Sequence, residues 1–135
     1  MGLMNYKGHL LDTNIIIGLF CNDQAVVDFL RRAARDRMYI YISAMTECEI
    51  FSGQKIEQGS NEIGFLDDQR YIEIDSRIAR ASGDIRREQK QNGRKLKAPD
   101  AIIIASAREH QLVLVSRDND MNFVQSEYGI PLIKL

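Results

Sequence analysis

Strand-like runs alternate with helix-length stretches along this chain, and that alternation limits the folds open to it. Leu10-Leu11 is a short apolar run ending at Asp12. Met38 to Ile42 (Met-Tyr-Ile-Tyr-Ile) is rich in aromatic and β-branched residues, which suit a pleated sheet. Tyr71 to Ile74, Leu112 to Val115 and Ile130 to Ile133 are three further strand-like runs. Between them, Ile15 to Phe20 reads as a short buried helix. Ala25, Val26, Phe29, Leu30 and Ala33 recur at helical spacing, with Arg31, Arg32 and Arg35 on the wet side. Helices are predicted from Ser43 to about Lys55, up to Asp68, and from Asp75 or Ser76 to Asn92-Gly93. Ala101 to Ala107 is apolar nearly all round, which predicts a buried helix. The pattern implies an α/β fold: one domain over residues 1–135, with a parallel, doubly wound sheet of four to five strands and helices on both faces.

Local signals sharpen the boundaries. Asn14, Asn22 or Asp23, and Ser43 are predicted caps, because their side-chain oxygens can accept from unpaired helical N–H groups. Gly93 suits a left-handed helix end, and Pro99 suits a first helical turn, where its missing N–H costs nothing. Pro131 places the last strand at an edge.

Composition excludes several classes. The length fits one domain. Hydrophobic content of 44% and charged content of 27% are ordinary globular usage. A net charge of −1 gives no bulk attraction to a polyanion, so local patches decide that question. Cys21 and Cys48 lack CxxC spacing and nearby histidines, so they read as small buried thiols rather than zinc ligands. No charged-then-apolar leader precedes Leu10, and no apolar run approaches the roughly 20 residues of a membrane span. The expectation is a cytoplasmic protein with no membrane contact. His9 and His110 are the only histidines, and both read as structural or solvated.

Four acids stand at junctions of the predicted elements. Ligands of doubly wound sheets bind outside the carboxyl ends of the strands. Asp12 and Asp118 lie at such ends, and Asp100 opens the apolar helix that leads into the Leu112–Val115 strand. Glu49 competes with Glu47, two positions away and so about 200° round a helix. Gly53, four residues beyond Glu49, leaves that face open to close packing, yet spacing alone does not choose between the two glutamates. Each acid has an ordinary use: a turn, a solvated face, or a helix N-terminus. Together they carry a cost. Two like charges about 4 Å apart repel by roughly 1 kcal/mol in water and about 4 kcal/mol at an effective dielectric of 20. A divalent cation would offset that, and oxygen-only ligands suit Mg²⁺ or Mn²⁺. The basic segment Arg86, Arg87, Lys90, Arg94, Lys95 and Lys97 runs up to Asp100 and reads either as solvated charge or as a rim for nucleic-acid phosphates, with Arg94, Lys95 and Lys97 nearest the acids.

The motifs Leu11-Asp12-Thr13-Asn14, Ile42-Ser43-Ala44-Met45-Thr46 running into Glu49-Ile50-Phe51-Ser52-Gly53, Asp100-Ala101, and Leu114-Val115-Ser116-Arg117-Asp118 resemble the PIN-domain nucleases. The nearest likeness is to the VapC-type toxins of toxin–antitoxin pairs, over Leu10 to Leu135. The resemblance implies an endoribonuclease dependent on Mg²⁺ or Mn²⁺, which hydrolyses RNA by a metal-activated water. It implies Asp12, Glu49, Asp100 and Asp118 as catalytic metal ligands, choosing Glu49 over Glu47. It implies supporting roles for Asn14, Ser43 and Ser116, with Asp120 as the rival to Asp118. Phe123 stands five residues beyond Asp118, farther than the family's usual next aromatic. A cognate antitoxin and a homodimer are the implied partners, with Ile15 to Leu30 a candidate contact surface. The alternatives are a Mg²⁺-dependent phosphatase, against which the missing Asp-x-Asp signature counts, and an inactive RNA-binding scaffold.

Overall fold

A computed structural model describes residues 5–135. In chain order the elements are β1 (Gly8–Leu11), α1 (Thr13–Phe20), α2 (Gln24–Arg35), β2 (Ile40–Ser43), α3 (Ala44–Gly53), α4 (Asn61–Asp67) and β3 (Arg70–Ile72). Then come α5 (Ser76–Gln91), α6 (Ala98–Glu109), β4 (Leu112–Ser116), a 3₁₀ turn (Asn119–Met121), α7 (Phe123–Tyr128) and β5 (Leu132–Lys134). The strands form one parallel sheet in the order β3-β2-β1-β4-β5. The chain builds outward from β1 to β3, then returns to lay β4 on the other flank of β1. The switch point of the sheet is therefore the crevice between β1 and β4.

Strand alternation divides the core in two. Leu10, Leu112 and Leu114 face Ile78 and Ile85 of α5 and Ile103 and Ile104 of α6. Leu11, Ile42 and Val115 face Ile15 and Ile16 of α1, Val26 and Phe29 of α2, and Ile50 of α3. Every residue of β1 and β4 is buried, as expected of central strands covered on both sides. Burying each large aliphatic side chain stabilises the fold by about 1.5–3 kcal/mol. Together these layers cover both faces of the sheet at the switch point.

The alternation of elements and the edge position of β5 match the sequence reading. Several details differ. Asp12, not Asn14, caps α1, accepting from Thr13 N at 2.8 Å; Asn14 lies inside the first turn and points at β4. Asp23 rather than Asn22 caps α2, and Asp75 caps α5. Ser43 caps α3, and Gly93 adopts φ 80° as expected. Cys21 and Cys48 are exposed, against the expectation of buried thiols. Helix α3 buries Thr46 and Ile50, and Cys48, two positions from each, must point away. Gly53 faces open space and packs against nothing. Helix α7 had no sequence signal, since six residues are too few to show a period. No helix of the described residues is long and apolar enough to cross a membrane.

Candidate active site

The site is built at the switch point. Asp12 follows β1, is 5% exposed, and is held there by two donors. Its Oδ1 accepts from Thr13 N at 2.8 Å, and its Oδ2 accepts from the Ser116 hydroxyl at 2.8 Å. Ser116 ends β4, directly across the crevice. Having donated its proton to Asp12, its oxygen accepts from Asn14 Nδ2 at 3.3 Å and from Asp118 N at 3.1 Å. Asn14 Oδ1 accepts from Arg117 N at 3.3 Å. Ser116 thus uses its donor and both lone pairs. Burial raises the Asp12 pKa, the Ser116 and Thr13 hydrogen bonds oppose that rise, and Asp118 and Glu49 add to it by repulsion.

Glu49 reaches the same region from α3. Its Oε1 accepts from the Thr13 hydroxyl at 2.6 Å, and Thr13 Oγ1 lies 3.0 Å from Thr46 Oγ1. A threonine has one hydroxyl proton, so Thr13 donates to Glu49 and Thr46 donates to Thr13. Glu47 points elsewhere: with burial and Asp67, it helps push the Tyr71 hydroxyl up to about 12. The geometry therefore brings Glu49, not Glu47, to Asp12. Thr13 and Thr46 were not singled out from the sequence. The available signal was spacing: Thr46 precedes Glu49 by three residues on one helix face, and Thr13 adjoins Asp12.

Asp100 lies in the first turn of α6, half-buried, where the N-terminal helix dipole favours a carboxylate. That attraction does not win. Burial, then Asp12, Asp118 and Glu49 in turn, push its pKa up to about 6, with Lys97 offsetting part. Asp118 caps the 3₁₀ turn through a 2.9 Å bond from Asp120 N. It is half-buried and acts electrostatically on Asp12 and Asp100; Asp120 is exposed and acts on neither. Arg117, between Ser116 and Asp118, is tied to Asp23 at 3.1 Å, which fixes the exit from β4 against the start of α2. Ser43 is buried and accepts from Met45 N at 3.0 Å. It sets the start of the helix that carries Glu49 and makes no hydrogen bond to the four acids.

A cleft of about 560 Å³ opens beside these groups. Its lining includes Asp100, Asp118 and Asp120 together with Arg94, Lys95 and Lys97. Asp12 and Glu49 are not part of its wall. The three basic residues differ in freedom. Arg94 is paired with Glu127, bonded to Gln89 Oε1 at 2.7 Å and laid over the Phe123 ring. Its charge is already largely used within the fold. Lys95 and Lys97 are exposed, with no ion pair among the described residues.

The donor set fits a hard divalent cation. Four carboxylates from four elements act on one another electrostatically, and all ligand atoms are oxygen. Among the described residues, no three acidic side chains stand close enough, as oriented, to enclose an ion. Hydrogen bonds from Ser116, Thr13 and Asp120 N orient Asp12, Glu49 and Asp118. A bound cation would offset the repulsion that Asp12, Asp118 and Glu49 exert on Asp100.

The family model for the PIN domain matches residues 9–126. No curated protein matches the chain. Among solved structures, a chain of a toxin–antitoxin complex from Klebsiella pneumoniae is 33% identical, with a TM-score of 0.70 over 94% of this chain and 97% of that one. A chain of VapBC2 from Rickettsia felis, bound to a promoter DNA fragment, is 21% identical, with a TM-score of 0.77 over 94% and 98%. A chain of VapBC-5 from Mycobacterium tuberculosis is 17% identical, with a TM-score of 0.68 over 96% and 99%. The last two show a shared fold. The match spans nearly the whole sequence and includes β1, α3, α6 and β4, the elements that bring the acids together; the chain is a member of the PIN-domain family.

Proposed function

We propose that this chain is a VapC-type toxin, an endoribonuclease dependent on Mg²⁺ or Mn²⁺ and neutralised by a cognate antitoxin. One observation carries the reading: Thr13 links Asp12 to Glu49, Ser116 links Asp12 to the Asp118 amide, and Asp118 and Asp100 line one cleft, so four carboxylates gather at the sheet's switch point. Family membership and the 33% identical chain of a toxin–antitoxin complex support it.

Asp12, Glu49, Asp100 and Asp118 would hold the ion. Bound there, it would lower the pKa of a water and stabilise negative charge on a phosphodiester. The chain's own groups do the rest. Ser116 and the Thr13 amide aim Asp12 and oppose the rise that burial imposes on its pKa, and the Thr46–Thr13 relay aims Glu49. Lys95 and Lys97 attract the phosphate backbone and offset its repulsion from the acids. Asp120, exposed and outside the coupled set, serves through its amide to orient Asp118. A homodimer and an antitoxin complete the proposed assembly. Ile17, half exposed on α1, and Phe51 on α3 offer apolar contact surface.

The test is cleavage of mixed single-stranded RNA with Mg²⁺ or Mn²⁺, with EDTA and Asp100→Asn as controls. Cutting that is lost in both controls is the expected result. Cutting that survives EDTA, or an active Asp100→Asn protein, would overturn the reading.

A further inference from the structure

The acid-lined cleft has a neighbour. A second groove of about 630 Å³ lies along the C-terminal half of α5 and shares Arg94, Lys95 and Leu96 with the first. Its other lining residues are Arg86, Arg87, Lys90 and Gly93. Five of the seven are cationic and none is acidic. That imbalance is unusual for a chain of net charge −1.

The cations are arranged, not scattered. Arg86 and Lys90 stand one helical turn apart, about 6 Å along the axis. Arg86 Nε donates to Leu96 O at 3.1 Å, which orients its guanidinium and leaves its other N–H groups free. Arg87 pairs among the described residues with Asp84 on the same helix, an exposed pair that contributes little. Lys90 and Lys95 have no ion pair among the described residues. Arg94 is different, since Glu127 and Gln89 hold it as the partition between the grooves.

The partition is fixed. Arg94 N donates to Gln89 O at 2.8 Å. The Gln89 side chain, 1% exposed, donates to Glu127 and to the Tyr128 hydroxyl at 3.0 Å each. The loop from Gly93 to Lys97 is thus tied to α7, and the two grooves keep a common wall.

Building on the proposed nuclease reading, we infer that the α5 groove is a phosphate track, which holds the substrate RNA strand on one side of the cleavage point. Lys95 passes the backbone from the acid-lined cleft to Arg86, Arg87 and Lys90. The track reads charge and not base identity: among the described residues no aromatic ring lines it, and Phe123 of the adjoining cleft is covered by Arg94. Recognition on this arm is therefore independent of sequence, and any base preference arises nearer the acids.

The experiment measures binding of a fluorescent single-stranded RNA in EDTA, across a salt series. It compares the wild-type protein with the triple variant Arg86→Gln, Arg87→Gln, Lys90→Gln. All three sites are exposed, so the fold should survive, and circular dichroism checks that. For single strands each neutralised phosphate contributes about −0.7 to the slope of log K against log salt. The triple variant should flatten that slope by about 2 and weaken binding at low salt at least tenfold, equally for different base sequences. An unchanged slope and affinity would overturn the track. A loss confined to an acidic peptide competitor, with RNA binding intact, would also overturn it and mark the groove as a protein contact. Wild-type cleavage assayed alongside separates the two readings: metal-dependent cutting with an unaltered triple variant removes the track and leaves the nuclease.

Discussion

Two residues carry testable electrostatics. Asp100 has a folded pKa of about 6 against an ordinary value of 3.8. Its stabilising contribution is therefore complete below 3.8 and lost as pH rises through 6. In metal-free protein, Asp100→Asn should raise stability above pH 6 by roughly 1 kcal/mol, after discounting for partial solvent screening. The gain should vanish below pH 4. Thermal melts in EDTA across that range measure it, and added Mg²⁺ should reverse the ranking of the two proteins. His9 behaves in the opposite sense. It is buried against Phe29, and both ring nitrogens lack partners among the described residues. Burial lowers its pKa below 6.5, so the folded state resists its protonation. Stability from this residue is present above 6.5 and lost as pH falls toward the lowered value. His9→Leu should remove that acid sensitivity, seen as a flatter dependence of the melting temperature on pH below 6.5. Thr13 tests the relay to Glu49. Thr13→Val should lower RNA cleavage about tenfold, equivalent to roughly 1.4 kcal/mol of one hydrogen bond, while Thr13→Ser retains it. Equal activity of the Val and Ser variants would separate Thr13 from the chemistry.

At the level of elements, close approach governs β1. A Cβ on Gly8 would stand 2.6 Å from the Tyr39 carbonyl oxygen and 2.8 Å from the Tyr41 ring. The oxygen belongs to backbone beside β2, so it cannot simply swing away. Gly8→Ala should destabilise the protein by about 1–3 kcal/mol, read as a lower denaturation midpoint with unchanged slope. This constraint was hidden in the sequence, because contact between Gly8 and Tyr39 depends on strand pairing. The same limit explains the misplaced cap. Asp12 and Asn14 both suit the cap position by type, and only the path of β1 into the crevice makes Asp12 the one. The alternation of elements was legible because long apolar runs and turn residues signal locally. Strand ends in β2, β3 and β5 shifted by one or two residues because pairing, not propensity, sets them. The four acids were legible as candidates at junctions. Their supporting threonines were not, since Thr13 and Thr46 meet across 33 positions. Arg94 read as a free basic rim residue, and its engagement by Glu127, Gln89 and Phe123 depended on α7, an element with no sequence signal.

For the whole molecule, the sheet order positions the candidate site. Placing β4 beside β1 brings Asp12, Ser116 and Asp118 to one crevice, while α3 and α6 deliver Glu49 and Asp100 from the two covering layers. The repulsion among these carboxylates is a local instability inside a well-buried frame, which the proposed cation would relieve. The most direct test is a Mn²⁺ titration by calorimetry on wild-type protein, Asp12→Asn and Asp100→Asn, with melting temperatures recorded in parallel. Saturable binding in the wild type, accompanied by a rise in melting temperature and lost in both variants, is the expected outcome. Binding of equal strength in all three proteins, or no binding to a wild type that nonetheless cuts RNA, would contradict the metal centre.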